Sequence, residues 1–351
     1  RLRPFRREPL THLATAPEDL AGRIAALIDA DPARANLSGA IRISRDGVVL
    51  FERAYGQASV QLGVANALST RFAIASVTKA FIAAVVLRLA DEGLLALDQH
   101  PGAYLAELAR LDRRITLHHL LTHTAGVADV YGVPDLRLKM AKLKAEGGRL
   151  LDYLAALPPP HAPGQRWSYS STGFLLLAYL AEAAGGQPFA QLLNERLLDP
   201  LGLADTGPDD PVLVNPGRAS GHAMSAGAWR NASNDALAEI EGPRELYSTV
   251  GDLDRWCGAI LSGEALSQAA AALSFSPHAH VGPGSDFDPT LAYGYGWFLG
   301  PDYRFVGGVT AGFRAAVWQH PAERLNVLML WNNEPINSHR LWRSLTPVVL
   351  G

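Results

Sequence analysis

The sequence holds one cysteine, Cys257, among 351 residues. A single thiol cannot close an intrachain disulfide, so the fold does not depend on oxidation. An excess of charge of one sign is also missing. The 31 basic and 34 acidic side chains leave a formal net charge of −3, which argues against a nucleic-acid or strongly polyanionic partner. The four arginines among residues 1–7 read as a solvated tail. No run of 18 or more apolar residues occurs, so no membrane-spanning helix is expected. No secretory leader is visible. The expected compartment is periplasmic or extracellular if a leader was removed ahead of Arg1, and cytoplasmic otherwise. Lysine is scarce: only four are present, Lys79, Lys139, Lys142 and Lys144. Repeats and low-complexity tracts are absent.

What is present is ample apolar material, 48% of the chain, enough for one large domain or two closely joined ones. Residues 18–30 have helical apolar spacing. Two strands follow around Asp46-Gly47, a pair favoured in tight hairpins. Helices are expected over 77–92, 136–157, 173–184 and 188–198, several bounded by Pro and Gly. The last third returns to strands, "LAYGYGWFLG", "DYRFVGG", "GFRAAVWQH" and "RLNVLMLWNN", then a helix over about 338–348. This order predicts an α+β fold, with an antiparallel sheet flanked by helices and an inserted all-helical lobe. Residues 1–75 and 240–351 would form the sheet lobe and 76–239 the helical lobe. Ligand sites favour the cleft between such lobes.

Ser76-Val-Thr-Lys79 opens the first long apolar helix. Positions i and i+3 share a helix face, and the helix start favours a developing anion. Lys79 is followed by Ala80, Phe81 and Ile82, whereas the other three lysines share one charged helix. A desolvated amine within reach of a hydroxyl suits a base and its nucleophile. A serine–lysine hydrolase also needs a proton relay and an oxyanion hole. Tyr169, in a polar loop ahead of a helix, suits the relay; an isolated tyrosine would otherwise be a packing residue. Gly307-Gly308 permits close backbone approach at a strand edge, where the N–H of Val309 would join that of Ser76 around an oxyanion. Without the other elements, Gly-Gly would read as a bulge.

These elements, in this order, resemble the serine β-lactamase and penicillin-binding protein superfamily. Within it the chain looks most like the class C branch and its family VIII carboxylesterases. "FAIASVTKAF", "ITLHHLLTHTAGV", "WSYSSTGFLLLAYLAE", "LLDPLGLADT", "LYSTVGDLDRW" and "AYGYGWF" resemble family landmarks in family order, covering about residues 37–350. The resemblance implies an acyl-enzyme at Ser76, with Lys79 and Tyr169 as the base pair. It also implies an oxyanion hole from the N–H groups of Ser76 and Val309, and no cofactor.

Two departures bear on substrate. Where the family's Tyr-x-Asn motif has an amide, this chain has Ser171. Where the third motif opens with a cation, it has Val306, in the triplet Val306-Gly307-Gly308. A site lacking those partners should prefer a neutral ester to a substrate bearing an amide and a carboxylate. Arg314 or Arg304 remains as a nearby positive charge. Trp297 and Phe313, with Trp167 and Tyr295, are candidate pocket walls or core residues. His119 and His123 have the i, i+4 spacing of a metal pair but lack the intervening Glu and the further ligands of a zinc site; no metal is expected. The pattern G-x-S-x-G is absent, which argues against an α/β-hydrolase. The expectation is therefore a serine hydrolase acting on a small-molecule ester or amide. The rivals are a β-lactamase, a D-amino-acid peptidase or an acyltransferase of the same superfamily, and a non-catalytic scaffold binding peptidoglycan or a protein partner.

Overall fold

The computed structural model describes residues 17–31, 36–210, 212–232, 245–283, 287–333 and 337–351. The arginine-rich start, residues 1–7, lies outside them. Helix α1 (Pro17–Ala30) buries Ile24 and Ile28, one turn apart. Strands β1 (Gly39–Arg45) and β2 (Val48–Tyr55) pair through the tight turn expected at Asp46-Gly47. Both turn residues have positive φ, 51° and 76°, the twist that matches two antiparallel strands.

The remaining strands of the main sheet come from the last third of the chain. They are β3 (Ala279–His280), β4 (Ala292–Tyr293), β5 (Phe298–Leu299), β6 (Arg304–Thr310), β7 (Phe313–His320) and β8 (Leu325–Trp331). All pairings are antiparallel, and the order is β3-β4-β5-β6-β7-β8-β1-β2. The two ends of the chain thus join in one sheet, with Gly39 opposite Trp331.

Strand β8, "LNVLMLW", is buried throughout. Its side chains alternate between faces. Leu325, Val327, Met329 and Trp331 join a core with α1 and the last helix, α8 (Ser338–Leu350). Leu328 and Leu330 join the larger core of the helical part.

That larger core is built on α2 (Thr78–Asp91), where eleven of fourteen residues are buried. Phe81 of α2 stacks on Trp256 of α7 (Val250–Ser262) at 4.6 Å. Helices α3 (Leu117–Leu121) and α6 (Ser171–Gly185) pack beside α2. The single helix expected over 136–157 is instead two, α4 (Leu136–Ala145) and α5 (Leu150–Ala155). Gly147, at φ 68°, ends α4 as left-handed glycines do. Among the described residues, no helix is long and apolar enough to cross a membrane.

Candidate active site

Ser76 sits one step earlier than a helical first turn. It lies in a 3-10 turn, Ala75–Val77, that leads into α2. Ala75 has φ 47°, a left-handed conformation that costs a non-glycine residue about 1 kcal/mol or more. The surrounding backbone holds that turn. The Ile74 N–H donates to Leu246 O at 2.8 Å, and the Leu246 N–H donates to Thr78 Oγ1 at 2.9 Å. The serine is half-buried, and Lys79, one turn on, is 6% exposed. Lys79 Nζ donates to Ser76 Oγ at 2.9 Å and reaches Ser171 Oγ at 3.4 Å.

The next wall comes from the segment ahead of α6. Ser170 caps that helix, its side chain accepting from the Gly173 N–H. Tyr169, just before the cap, places its ring 4.9 Å from Lys79 Nζ. The ring rests on His123 at 4.5 Å. His123 is itself buried and left-handed, φ 57°. Its Nδ1 accepts from the Ser170 N–H at 3.2 Å, which leaves the proton on Nε2, 3.1 Å from Tyr293 Oη. Burial, and then the nearby Lys79, hold its pKa well below 6.5.

A neutral buried imidazole has a consequence for stability. Below pH 6.5 the unfolded chain binds a proton at His123 that the folded chain refuses. The stabilisation is therefore complete above pH 6.5 and lost as the pH falls. The loss is about 1.4 kcal/mol per pH unit until the folded histidine itself titrates. Denaturant midpoints measured from pH 7.5 to 5 should fall, and His123→Asn, which tolerates the left-handed backbone, should flatten that slope. Equal slopes in the two proteins would contradict this role.

The third wall is β6. Beyond Phe305 it has lost its neighbour β5, which pairs only with residues 304 and 305. The strand then runs along the 75–77 turn, and Gly308 is the point of closest approach. A Cβ there would lie 2.1 Å from Ile74 O and 2.9 Å from Ser76 N. Ser76, Tyr169, Ser171, Gly307, Gly308 and Val309 open together onto a cavity of about 890 Å³. Sequence reasoning set these six residues together, and the fold brings them to one place.

Residues 24–345 match the family model described as Beta-lactamase. The chain belongs to the beta-lactamase family. Its members are serine hydrolases. The chain is 36% identical over 206 residues to esterase EstB of Burkholderia gladioli, covering 54% of this chain and 51% of EstB. It is 29% identical over 225 residues to the D-alanyl-D-alanine-carboxypeptidase/endopeptidase AmpH of Escherichia coli K12, covering 62% of this chain and 56% of AmpH. The chain thus spans between half and two thirds of the length of these curated relatives. Among solved structures, the octameric penicillin-binding protein homologue from Pyrococcus abyssi superposes with a TM-score of 0.79 at 21% identity. That match covers 94% of this chain and 77% of the other. EstCE1, a hydrolase with promiscuous acyltransferase activity, gives 0.77 at 22%, covering 95% and 99%. At these identities the structural likeness concerns the fold.

Within this beta-lactamase fold, five candidate pocket residues do not line the cavity; Trp167 and Tyr295 are buried in the two cores. Val306 follows Phe305 on β6, so it points to the opposite face of the sheet and packs in the helical core. Trp297 is buried against Phe275. Phe313 is buried beneath the Arg218 guanidinium, 5.1 Å from its ring. Of the two arginines, Arg314 lines the cavity. Arg304 is buried over the Phe275 ring at 3.4 Å, and burial lowers its pKa to about 10. The two histidines of the expected i, i+4 pair diverge: His119 Nδ1 accepts from the Thr116 N–H, while His123 supports Tyr169.

Beside the nucleophile, Asp129 escaped sequence reasoning, as did Phe287, Phe298 and Phe305 farther along the cavity. Asp129 lines the cavity beside Ser76. Its Oδ1 accepts from the Ser171 N–H at 3.2 Å and the Tyr131 N–H at 3.4 Å. Burial raises its pKa, against the opposing pull of those N–H groups and of Lys79. It thereby fixes the start of α6 and sets a carboxylate within the field of Lys79. Its position in "HTAGVADV", after a turn signal, carried no indication of that contact.

Proposed function

We propose that the protein cleaves small carboxylic esters through an acyl-enzyme on Ser76. In kind it is nearest to the family VIII carboxylesterases of the class C branch. The observation that carries this reading is the part-buried 2.9 Å contact between Lys79 Nζ and Ser76 Oγ, set against the open edge of β6. Lys79, with Tyr169, takes the proton as Ser76 Oγ attacks the carbonyl carbon. The N–H groups of Ser76 and Val309 receive the oxyanion. The tetrahedral adduct then expels the alkoxide, which takes the proton back through Tyr169 and leaves as the alcohol. Water adds to the acyl carbonyl, giving its proton to the same base. The carboxylic acid departs and Ser76 regains its proton. The cleft between the helical lobe and the sheet lobe encloses the reaction.

Support for an ester comes from what stands beside the nucleophile. Ser171, not an amide, neighbours Lys79, and Val306 turns its side chain into the core. EstB, among the relatives, is an esterase. A second reading, a peptidase or β-lactamase acting on a carboxylate-bearing amide, is favoured by Arg314 at the cavity wall. A substrate panel separates them. A fluorophosphonate should label Ser76, and p-nitrophenyl butyrate should turn over at least about tenfold faster than nitrocefin or a D-Ala-D-Ala peptide. Faster cleavage of the peptide or of nitrocefin would reverse the choice. No labelling of Ser76 would end the hydrolase reading and favour a binding scaffold.

A further inference from the structure

The ester reading leaves one half of the cavity without a task. A continuous aromatic wall runs from Tyr169 away from Ser76. Tyr169 lies 5.2 Å from Phe287 between ring centroids, Phe287 stacks on Phe298 at 4.8 Å, and Phe298 is 6.0 Å from Phe305. Phe305 is clamped between Trp318, stacked at 4.8 Å, and His339 at the start of α8, edge-on at 4.7 Å. Burial holds His339 below the usual histidine range, and the nearby Arg343 charge acts in the same direction. The lining also carries polar groups: Asp129, Tyr131, Glu245 and Arg314, with Asn337 and Ser338 next to His339.

Gly307 makes this wall possible. A Cβ at 307 would stand 2.7 Å from Phe305 Cζ. The Phe305 ring therefore occupies the space that a side chain at the middle of the third triplet would fill. A polar group there would face the substrate beside the oxyanion site, and in this chain a phenyl ring does so instead. The loss of the opening cation and the aromatic replacement of the middle side chain act in the same direction.

We infer that the wall of Phe287, Phe298 and Phe305 is the subsite for the alcohol part of the ester, and that it selects an aromatic alcohol. This rests on the proposed esterase reading. Tyr169 assigns the side: it gives the proton to the leaving oxygen, and it is also the first ring of the wall. The acyl part then extends away from these rings. A flat apolar alcohol would stack along the rings and remove them from water, which a methyl group cannot do.

Methyl butyrate and benzyl butyrate test this directly. They give the same acyl-enzyme and release alcohols of similar acidity, so they differ mainly in what the alcohol subsite contributes. The wild-type protein should show a benzyl-to-methyl ratio of kcat/KM of about ten or more. Phe305→Ala should lower that ratio by about tenfold, chiefly through KM for the benzyl ester. Phe305→Leu, which keeps most of the packing against Trp318, should lower it in the same direction should the alanine variant fail to fold. A wild-type ratio near one, or a ratio unmoved in the folded variants, would overturn the assignment. Labelling of wild-type Ser76 by a fluorophosphonate separates the two claims. With labelling intact, a flat ratio sinks only the aromatic subsite; without labelling, the esterase reading itself falls.

Discussion

Ser76→Ala should lower ester turnover by at least about a thousandfold and abolish fluorophosphonate labelling. Its melting temperature should stay within about 2 °C of the parent. The turnover loss follows from the roles of the hydroxyl. It is the proposed nucleophile, and its oxygen is the nearer acceptor of Lys79 Nζ, at 2.9 Å against 3.4 Å for Ser171 Oγ. The backbone N–H of residue 76 survives the substitution, so the variant keeps the proposed oxyanion site and loses only the attacking atom. Stability is spared because Ser76 caps nothing: the turn it occupies has no side-chain cap, and the hydroxyl is only half-buried. Activity near the parent level would remove Ser76 from the chemistry. A collapse in melting temperature would make the hydroxyl structural.

The elements that frame this site were readable because their patterns are local. "TKAFIAAVVLRLAD" is apolar nearly all round, and such a helix must be central. "LNVLMLW" is an unbroken β-prone run, as a strand buried on both faces requires. The pair Asp46-Gly47 names its own turn. The break between α4 and α5 was also written locally, in Gly147-Gly148, but the apolar spacing on either side masked it.

Trp297 and Phe313 suit a pocket wall or the core equally by sequence, and the structure places both in the core. Val306 opens the triplet that resembles the family's third motif, but strand parity turns it away: alternate residues of β6 face different cores, so Phe305 rather than Val306 reaches the cavity. Parity can be fixed only when one residue of a strand has a known face. The strained Ala75 carries no signal at all, because alanine has no preference for a left-handed backbone. It is held there by Leu246, about 170 positions away, and by Gly308, farther still. The role of Asp129 depends equally on a long-range meeting with α6. The proposed nucleophile and base lie within four adjacent residues, and Tyr169 with the Gly307-Gly308-Val309 edge is what singles them out. The surfaces that determine what they act on come from segments far apart in the chain.

Gly308→Ala should cost as much activity as losing a catalytic group, although the added methyl is small and apolar. The new Cβ would meet Ile74 O at 2.1 Å, Ser76 N at 2.9 Å and the Ala75 Cβ at 3.1 Å. The first two are backbone atoms, so no rotamer change relieves the contact. Either β6 must lift away from the 75–77 turn or that turn must move. The turn is tied on its other side to Leu246 through Ile74 N–H and Thr78 Oγ1, which resists the second option. Lifting β6 by about 1 Å carries the Val309 N–H away from the Ser76 N–H, and misplacing one oxyanion donor costs about 10²- to 10³-fold in kcat. The loss should appear in kcat rather than KM, because the donors act on charge that develops only in the transition state. Gly307→Ala meets Phe305 Cζ at 2.7 Å, the far end of a side chain, and should cost less. Equal kcat for Gly308→Ala and the parent would show that β6 does not supply the oxyanion donor, and the proposed role of Val309 would have to be withdrawn.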